Sequence, residues 1–145
     1  YKTCLVTRGA LDSCPFPPLE GEHRLNLGGE TILPGWRVKS AIAPCPPSLP
    51  TSDDFRAYLD LDETGEKLLV RGRRAGDRFQ PLGMEQPKKL HDFMIDAKIP
   101  RAWRDHVPLV CSPEQILWVV GWRIAEPTKV KDATGQVLLL EFQRL

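Results

Sequence analysis

Fourteen prolines in 145 residues, about twice ordinary usage, set the first limit on the fold. A residue with no N–H and a fixed φ interrupts helices and stays out of central strands, so this chain must be built from short elements joined by turns. Gly28-Gly29, Pro34-Gly35, Thr64-Gly65, Ser112-Pro113-Glu114 and Thr134-Gly135 punctuate it at short intervals, and most segments between them alternate polar with apolar residues, the period of a half-buried strand. HRLNL (23–27) and ETIL (30–33) are expected to form one hairpin, with a strand at 36–43 following Pro34-Gly35. FRAYLDL (55–61) and KLLVRGR (67–73) are expected to form another hairpin, closed at Thr64-Gly65. VPLVC (107–111) and QILWVVGWRIA (115–125) are the most apolar segments and read as central strands covered on both faces. QVLLLEFQRL ends the chain with a strand in which Val137, Leu139 and, loosely, Glu141 and Phe142 fit one phase, although a helical period also fits VLLLEF.

The length suits one domain with a real core, and 41% hydrophobic with 27% charged residues lies in the globular range. The expected organisation is a single domain over 1–145. An opening strand and a proline-rich connector occupy 1–18, and the body runs over 19–145. Starting at Tyr1, the chain reads as a piece of a longer protein. No apolar run is long enough for a membrane helix, which makes a soluble cytoplasmic protein the default. The cysteines at 4, 14, 45 and 111 include no C-x-x-C pair; free, buried thiols are favoured over a disulfide or metal site. His91 and His106 have no second ligand at metal spacing, and a Cys111–His106 nucleophile and base pair lacks any orienting motif.

Charge is uneven. Residues 71–104 carry Arg71, Arg73, Arg74, Arg78, Lys88, Lys89, Lys98, Arg101 and Arg104 against Asp77, Glu85, Asp92 and Asp96, a local net of +5 in a chain whose total is +1. Such a concentration points to a surface that meets a polyanion. On a strand with period two, Arg71 and Arg73 would share one face and Arg74 the other. Gly76, Asp77 and Gly83 read as structural turn residues, Asp77 accepting backbone N–H groups or holding a neighbouring arginine. A helix is expected over 87–98, with Pro87 at its first position and Leu90, Phe93, Met94 and Ala97 on its buried face; a short second helix is expected at 101–105. Lys88 and Lys89 would then lie in the first turn, where the helix dipole disfavours cations but a phosphate is well received. The alternative is that Asp92 simply neutralises them on a solvated face. Trp103 suits core packing, with stacking on a base as the other reading.

The segments RGRRAGDRFQPLG (71–83), KKLHDFMIDAKIPRAWRD (88–105), VPLVC (107–111) and ILWVVGWRIAE (116–126) together resemble the C-terminal domain of bacterial tRNA(Ile)-lysidine synthetases. The resemblance implies an α+β, mostly antiparallel fold with sandwich-like sheets, similar to a domain of the phenylalanyl-tRNA synthetase β subunit. It also implies a module of an enzyme that adenylates the wobble cytidine of tRNA(Ile) with ATP and lets lysine displace AMP. That chemistry belongs to an N-terminal pyrophosphatase-type domain with an S-G-G-x-D-S loop, which this sequence lacks. The chain itself is therefore expected to be non-catalytic and to need no cofactor, ATP and magnesium serving the catalytic domain. Expected partners are tRNA(Ile), mainly its acceptor stem, and the enzyme's own catalytic domain, with a homodimer as a further assembly and no membrane. The nine cations named above would be the RNA contacts. The rival expectation is a docking or dimerisation module whose arginines serve internal salt bridges.

Overall fold

A computed structural model describes residues 16, 19, 21–45, 55–131 and 134–145. The opening strand, nearly all of the proline-rich connector and residues 46–54 of the following proline-rich loop lie outside these. Two antiparallel sheets carry the architecture. One has β2 (Glu30–Leu33), β3 (Trp36–Pro44), β11 (Gln136–Arg144) and β4 (Arg56–Asp60) in that spatial order. The other orders β1 (His23–Arg24), β5 (Leu69–Arg71), β8 (Leu109–Cys111), β9 (Ile116–Val119) and β10 (Arg123–Ile124). A two-stranded ribbon, β6 (Arg78–Phe79) with β7 (Lys88–Lys89), stands apart from both. The helices are short: α1 (Leu61–Thr64) and α2 (Leu90–Asp96). This is the expected mostly antiparallel α+β class.

Local chemistry explains the elements. Gly35, at φ 81°, makes the tight turn between β2 and β3, where Leu33 pairs with Trp36. Along β3 the residues Trp36, Val38 and Ser40 are buried while Arg37, Lys39 and Ala41 face water, the alternation a one-sided sheet requires. The strands β8 and β9 are buried at every position, as expected for the centre of a sheet covered on both faces. The sheets share one core, in which Trp118 of β9 meets Phe142 of β11 edge-on at 5.4 Å. Phe16 joins it, with its ring 6.0 Å from Trp36 and 5.9 Å from Trp103.

Both hairpins expected on either side of β3 are corrected, apart from the β2–β3 pair. Segment 23–27 does not pair with 30–33; β1 pairs with β5 instead, His23 opposite Val70. The cause is Ser40, whose hydroxyl accepts the Gly28 N–H at 2.9 Å and donates to the Asn26 carbonyl at 2.7 Å, binding the glycine turn to β3 and sending the preceding residues to the other sheet. Nor does 55–61 pair with 67–73. Asp60 caps α1 by accepting the Asp62 N–H at 3.0 Å, Gly65 closes the turn at φ 70°, and β4 and β5 end in different sheets. The last strand keeps its place but changes phase: Leu138, Leu140 and Phe142 are buried in the core while Leu139 is only half-buried, and Val137, opposite Asp60, is buried as well.

The main helix is shorter than 87–98. Lys88 and Lys89 are extended and belong to β7, with Lys89 as the uncapped residue before Leu90. Ile99 N–H bonds back to Met94 and Lys98 takes a left-handed φ of 59°, which ends the helix before Pro100. The second helix is a single 3-10 turn at Arg101–Trp103.

Candidate nucleic-acid interface

The basic segment begins where β5 leaves its sheet. Arg71 is the last residue of the strand, so Arg73 and Arg74 lie beyond it and the period-two assignment does not apply to them. The turn that follows is held by one carboxylate. Asp77 accepts both terminal nitrogens of Arg71, at 2.9 and 3.0 Å, and the backbone N–H of Arg74 at 2.7 Å. Gly76, at φ 85°, supplies the left-handed residue this turn needs. Burial by itself would raise the Asp77 carboxyl, but the hydrogen bonds from Arg71 and from the Arg74 N–H hold it below the ordinary carboxylate range. The same bond from Arg71 to Asp77 raises the guanidinium further. The Asp77 backbone carbonyl also accepts the Leu90 N–H at 2.9 Å, tying the turn to the start of α2.

The ribbon then separates two neighbouring lysines. In β6–β7 Arg78 is opposite Lys89 and Phe79 is opposite Lys88, and paired residues share a face. Phe79 is buried, edge-on to Phe93 at 5.0 Å. Lys88 lies on that side of the ribbon and forms an ion pair with Asp96, not with Asp92. Arg78 and Lys89 face the other way, into a cleft of about 600 Å³ whose walls also include Arg73, Arg74, Ala75, Gly76, Asp77, His91 and Asp105. Four of the nine cations, Arg73, Arg74, Arg78 and Lys89, therefore converge on one concavity, with Arg71 braced behind them.

The remaining cations are placed differently. Lys98 and Arg101 are exposed outside the cleft lining, and like Lys89 they have no side-chain partner among the described residues. Arg104 is half-buried and donates its Nε–H to the Ile99 carbonyl at 3.0 Å; Arg78 donates to the Pro87 carbonyl at 3.4 Å. Arg73 is paired with Asp105 at 2.8 Å and Arg74 with Glu22. Gly83, the third expected turn residue, has φ 91° and donates its N–H to Glu126 at 2.8 Å. The Glu126 carboxyl is held low by Lys129 first and by that N–H second. Thus Gly83 anchors the loop that joins β6 to β7 to the segment after β10.

Sequence reasoning passed over His91, Asp105 and Glu22. In the sequence His91 reads only as a metal ligand without a second partner, yet it follows Lys89 by two residues at the cleft wall. Asp105 and Glu22 reach their arginines across 32 and 52 positions, a separation with no local signal. Trp103 is packing: half-buried, edge-on to Phe16 and against the core. Cys111 is a buried free thiol, pushed up to about 11 by burial, far from a nucleophile at neutral pH. Among the described residues no cluster of His, Cys, Asp and Glu is placed to hold a metal ion, and no helix is long and apolar enough to cross a membrane.

Comparison with known proteins identifies the family. The tRNA(Ile)-lysidine synthase of Dehalococcoides mccartyi (strain CBDB1) is 51% identical over 146 residues, covering all of this chain and 31% of that protein. The enzyme of the same name from Caldanaerobacter subterraneus subsp. tengcongensis is 44% identical over 97 residues, covering 63% of this chain and 21% of its own length. The chain thus spans about a third or less of the relatives it matches. A crystal structure of a TilS C-terminal domain superposes with a TM-score of 0.72 at 29% identity, covering 86% of this chain and 97% of that one. An N-terminal fragment of the phenylalanyl-tRNA synthetase β subunit from Pyrococcus horikoshii shares the fold at a TM-score of 0.52, with 17% identity over 60% of this chain and 27% of that one. The family model of the TilS substrate C-terminal domain matches residues 68–140, from the start of β5 into β11, and so takes in every residue that lines the basic cleft: the chain belongs to the TilS C-terminal domain family.

Proposed function

We infer that this chain is the tRNA-holding, C-terminal part of a tRNA(Ile)-lysidine synthase. It grips the acceptor stem of tRNA(Ile) through phosphates in the cytoplasm, while a separate catalytic domain uses ATP, magnesium and lysine to convert the wobble cytidine to lysidine. The observation that carries this reading is the convergence of Arg73, Arg74, Arg78 and Lys89 on one concave surface. Guanidinium groups bind phosphate oxygens in a planar fork, and an A-form stem offers a protein its backbone and shape more readily than its base edges. The domain contributes affinity and register; chemistry is left to the catalytic domain.

Titration of the chain with an acceptor-stem duplex across a range of salt concentrations tests the reading. Each phosphate neutralised contributes about 0.9 to the slope of log K against log salt, so four cleft contacts set an upper limit of roughly four on that slope. Binding that ignores salt, or none at low ionic strength, would overturn it. A second reading is favoured by the internal pairing of Arg71, Arg73, Arg74 and Lys88 with acids: a module that docks on the catalytic domain or dimerises without touching RNA. Sedimentation of the chain alone and with the catalytic domain, each with and without RNA, separates the two.

A further inference from the structure

Among the described residues three carboxylates touch the arginines of this segment, and they are not equivalent. Asp77 is a built part of the turn, its side chain only 13% exposed and engaged by three hydrogen bonds. Asp105 and Glu22 are surface groups, 76% and 47% exposed, and among the described residues each side chain is bound to one arginine: Asp105 to Arg73 Nε and Glu22 to Arg74. Their positions are nonetheless imposed. The backbone of Asp105 is pressed against the exit of β5, its carbonyl oxygen lying 3.1 Å from where a Cβ on Gly72 would sit, so the absence of a side chain at 72 lets that loop approach Arg73. Glu22 directly precedes β1, which is hydrogen-bonded to β5, and this sets it beside the same exit. An acid on each of the two arginines that border a cationic cleft occupies the place where a phosphate oxygen would bind.

We propose that Asp105 and Glu22 are built-in counter-ions of the cleft, internal stand-ins for phosphate that hold Arg73 and Arg74 extended in the empty protein and are displaced by the RNA backbone when it binds. The proposal rests on the RNA-binding reading above and adds a specific control to it. Exposed ion pairs are weak, so exchange for a phosphate is feasible. The carboxylate set free takes up a counter-ion from solution, which cancels part of the salt release that phosphate binding produces. The cleft thereby trades affinity for easy release of the stem, and weak polyanions are turned away because they must compete with two tethered anions.

The test compares the wild-type chain with Asp105→Asn, Glu22→Gln and the double variant, titrated with a short labelled RNA duplex over a range of salt. Glu114→Gln is the control for bulk charge: Glu114 is exposed on the β8–β9 turn and is not among the residues that line the cleft. The expected result is binding tightened about two- to five-fold by each amide, a salt slope steeper by up to about one unit per carboxylate removed, and little change in the control. Weaker binding by the amide variants, or a gain no larger than that of Glu114→Gln, would overturn the proposal while leaving the RNA-binding reading intact. Failure of every protein to bind RNA at low ionic strength would remove both.

Discussion

At the scale of single residues, Asp77 matters most. Its carboxylate closes the turn that aims Arg73 and Arg74, and it neutralises Arg71, whose side chain is as sheltered as its own. Replacing it with Asn leaves one acceptor for the Arg74 N–H but strands the Arg71 charge. The expected cost is roughly 2–3 kcal/mol of stability near neutral pH, between the values for exposed and fully buried pairs. The pH dependence has a definite sign. Because the folded Asp77 carboxyl lies below its ordinary value, its contribution is fully present above the unfolded carboxylate value of about 4 and is lost as the pH falls through the folded value. Chemical denaturation of wild type and Asp77→Asn should therefore give curves separated at pH 7 that converge below about pH 4. A constant gap down to strongly acidic pH would mean that Asp77 acts through its shape alone.

At the scale of elements, the ribbon β6–β7 sends its two lysines to different faces. Lys89 shares a face with Arg78 in the cleft; Lys88 shares one with buried Phe79 and is paired with Asp96. Lys89→Ala should flatten the salt slope by about one unit, whereas Lys88→Ala should leave the slope unchanged and shift stability by no more than about 1 kcal/mol. Fluorescence anisotropy at several salt concentrations measures the first, and a thermal melt the second; equal effects on RNA binding would refute the assignment of faces. Sequence alone made this pair the opening of a helix because Pro87 fits a first helical position and Leu90, Phe93, Met94 and Ala97 share a face. That stripe was legible, and three of its four residues are buried in α2 or at its start. What the pattern could not contain was the pairing of Lys88 with Phe79 and of Lys89 with Arg78, contacts with residues nine and eleven positions earlier. The hairpins β2–β3 and β8–β9 were legible because a tight turn joins strands that pair with each other. The other two hairpins were misread where a polar side chain, Ser40 or Asp60, satisfies backbone groups and diverts the chain to the second sheet. The basic segment was likewise visible as a charge excess, while the acids that hold its arginines came from distant parts of the chain.

At the scale of the whole molecule, the site depends on a strand that carries none of its residues. β11 lies between β3 and β4, with Arg144 opposite Trp36 and Gln136 opposite Pro44, so the end of the described chain fills the centre of a sheet whose neighbours come from its first half. Val137, Leu138, Leu140 and Phe142 are buried, and at about 1.5–3 kcal/mol for each buried side chain they contribute roughly 6–12 kcal/mol. That is comparable with the whole net stability of an ordinary domain, about 5–15 kcal/mol. Phe142 also meets both Trp36 and Trp118, which joins the sheet containing β11 to the sheet from which Arg71 emerges. A chain ending at Gly135 is therefore expected to lose the cooperative thermal transition seen by circular dichroism and to lose RNA binding with it, although every cation of the cleft is still present. Retention of a sharp transition would show that the sheet from β1 to β10 folds without its companion. Retention of salt-dependent RNA binding without a transition would show that charge density alone, and not the geometry built by Asp77 and the ribbon, makes the interface.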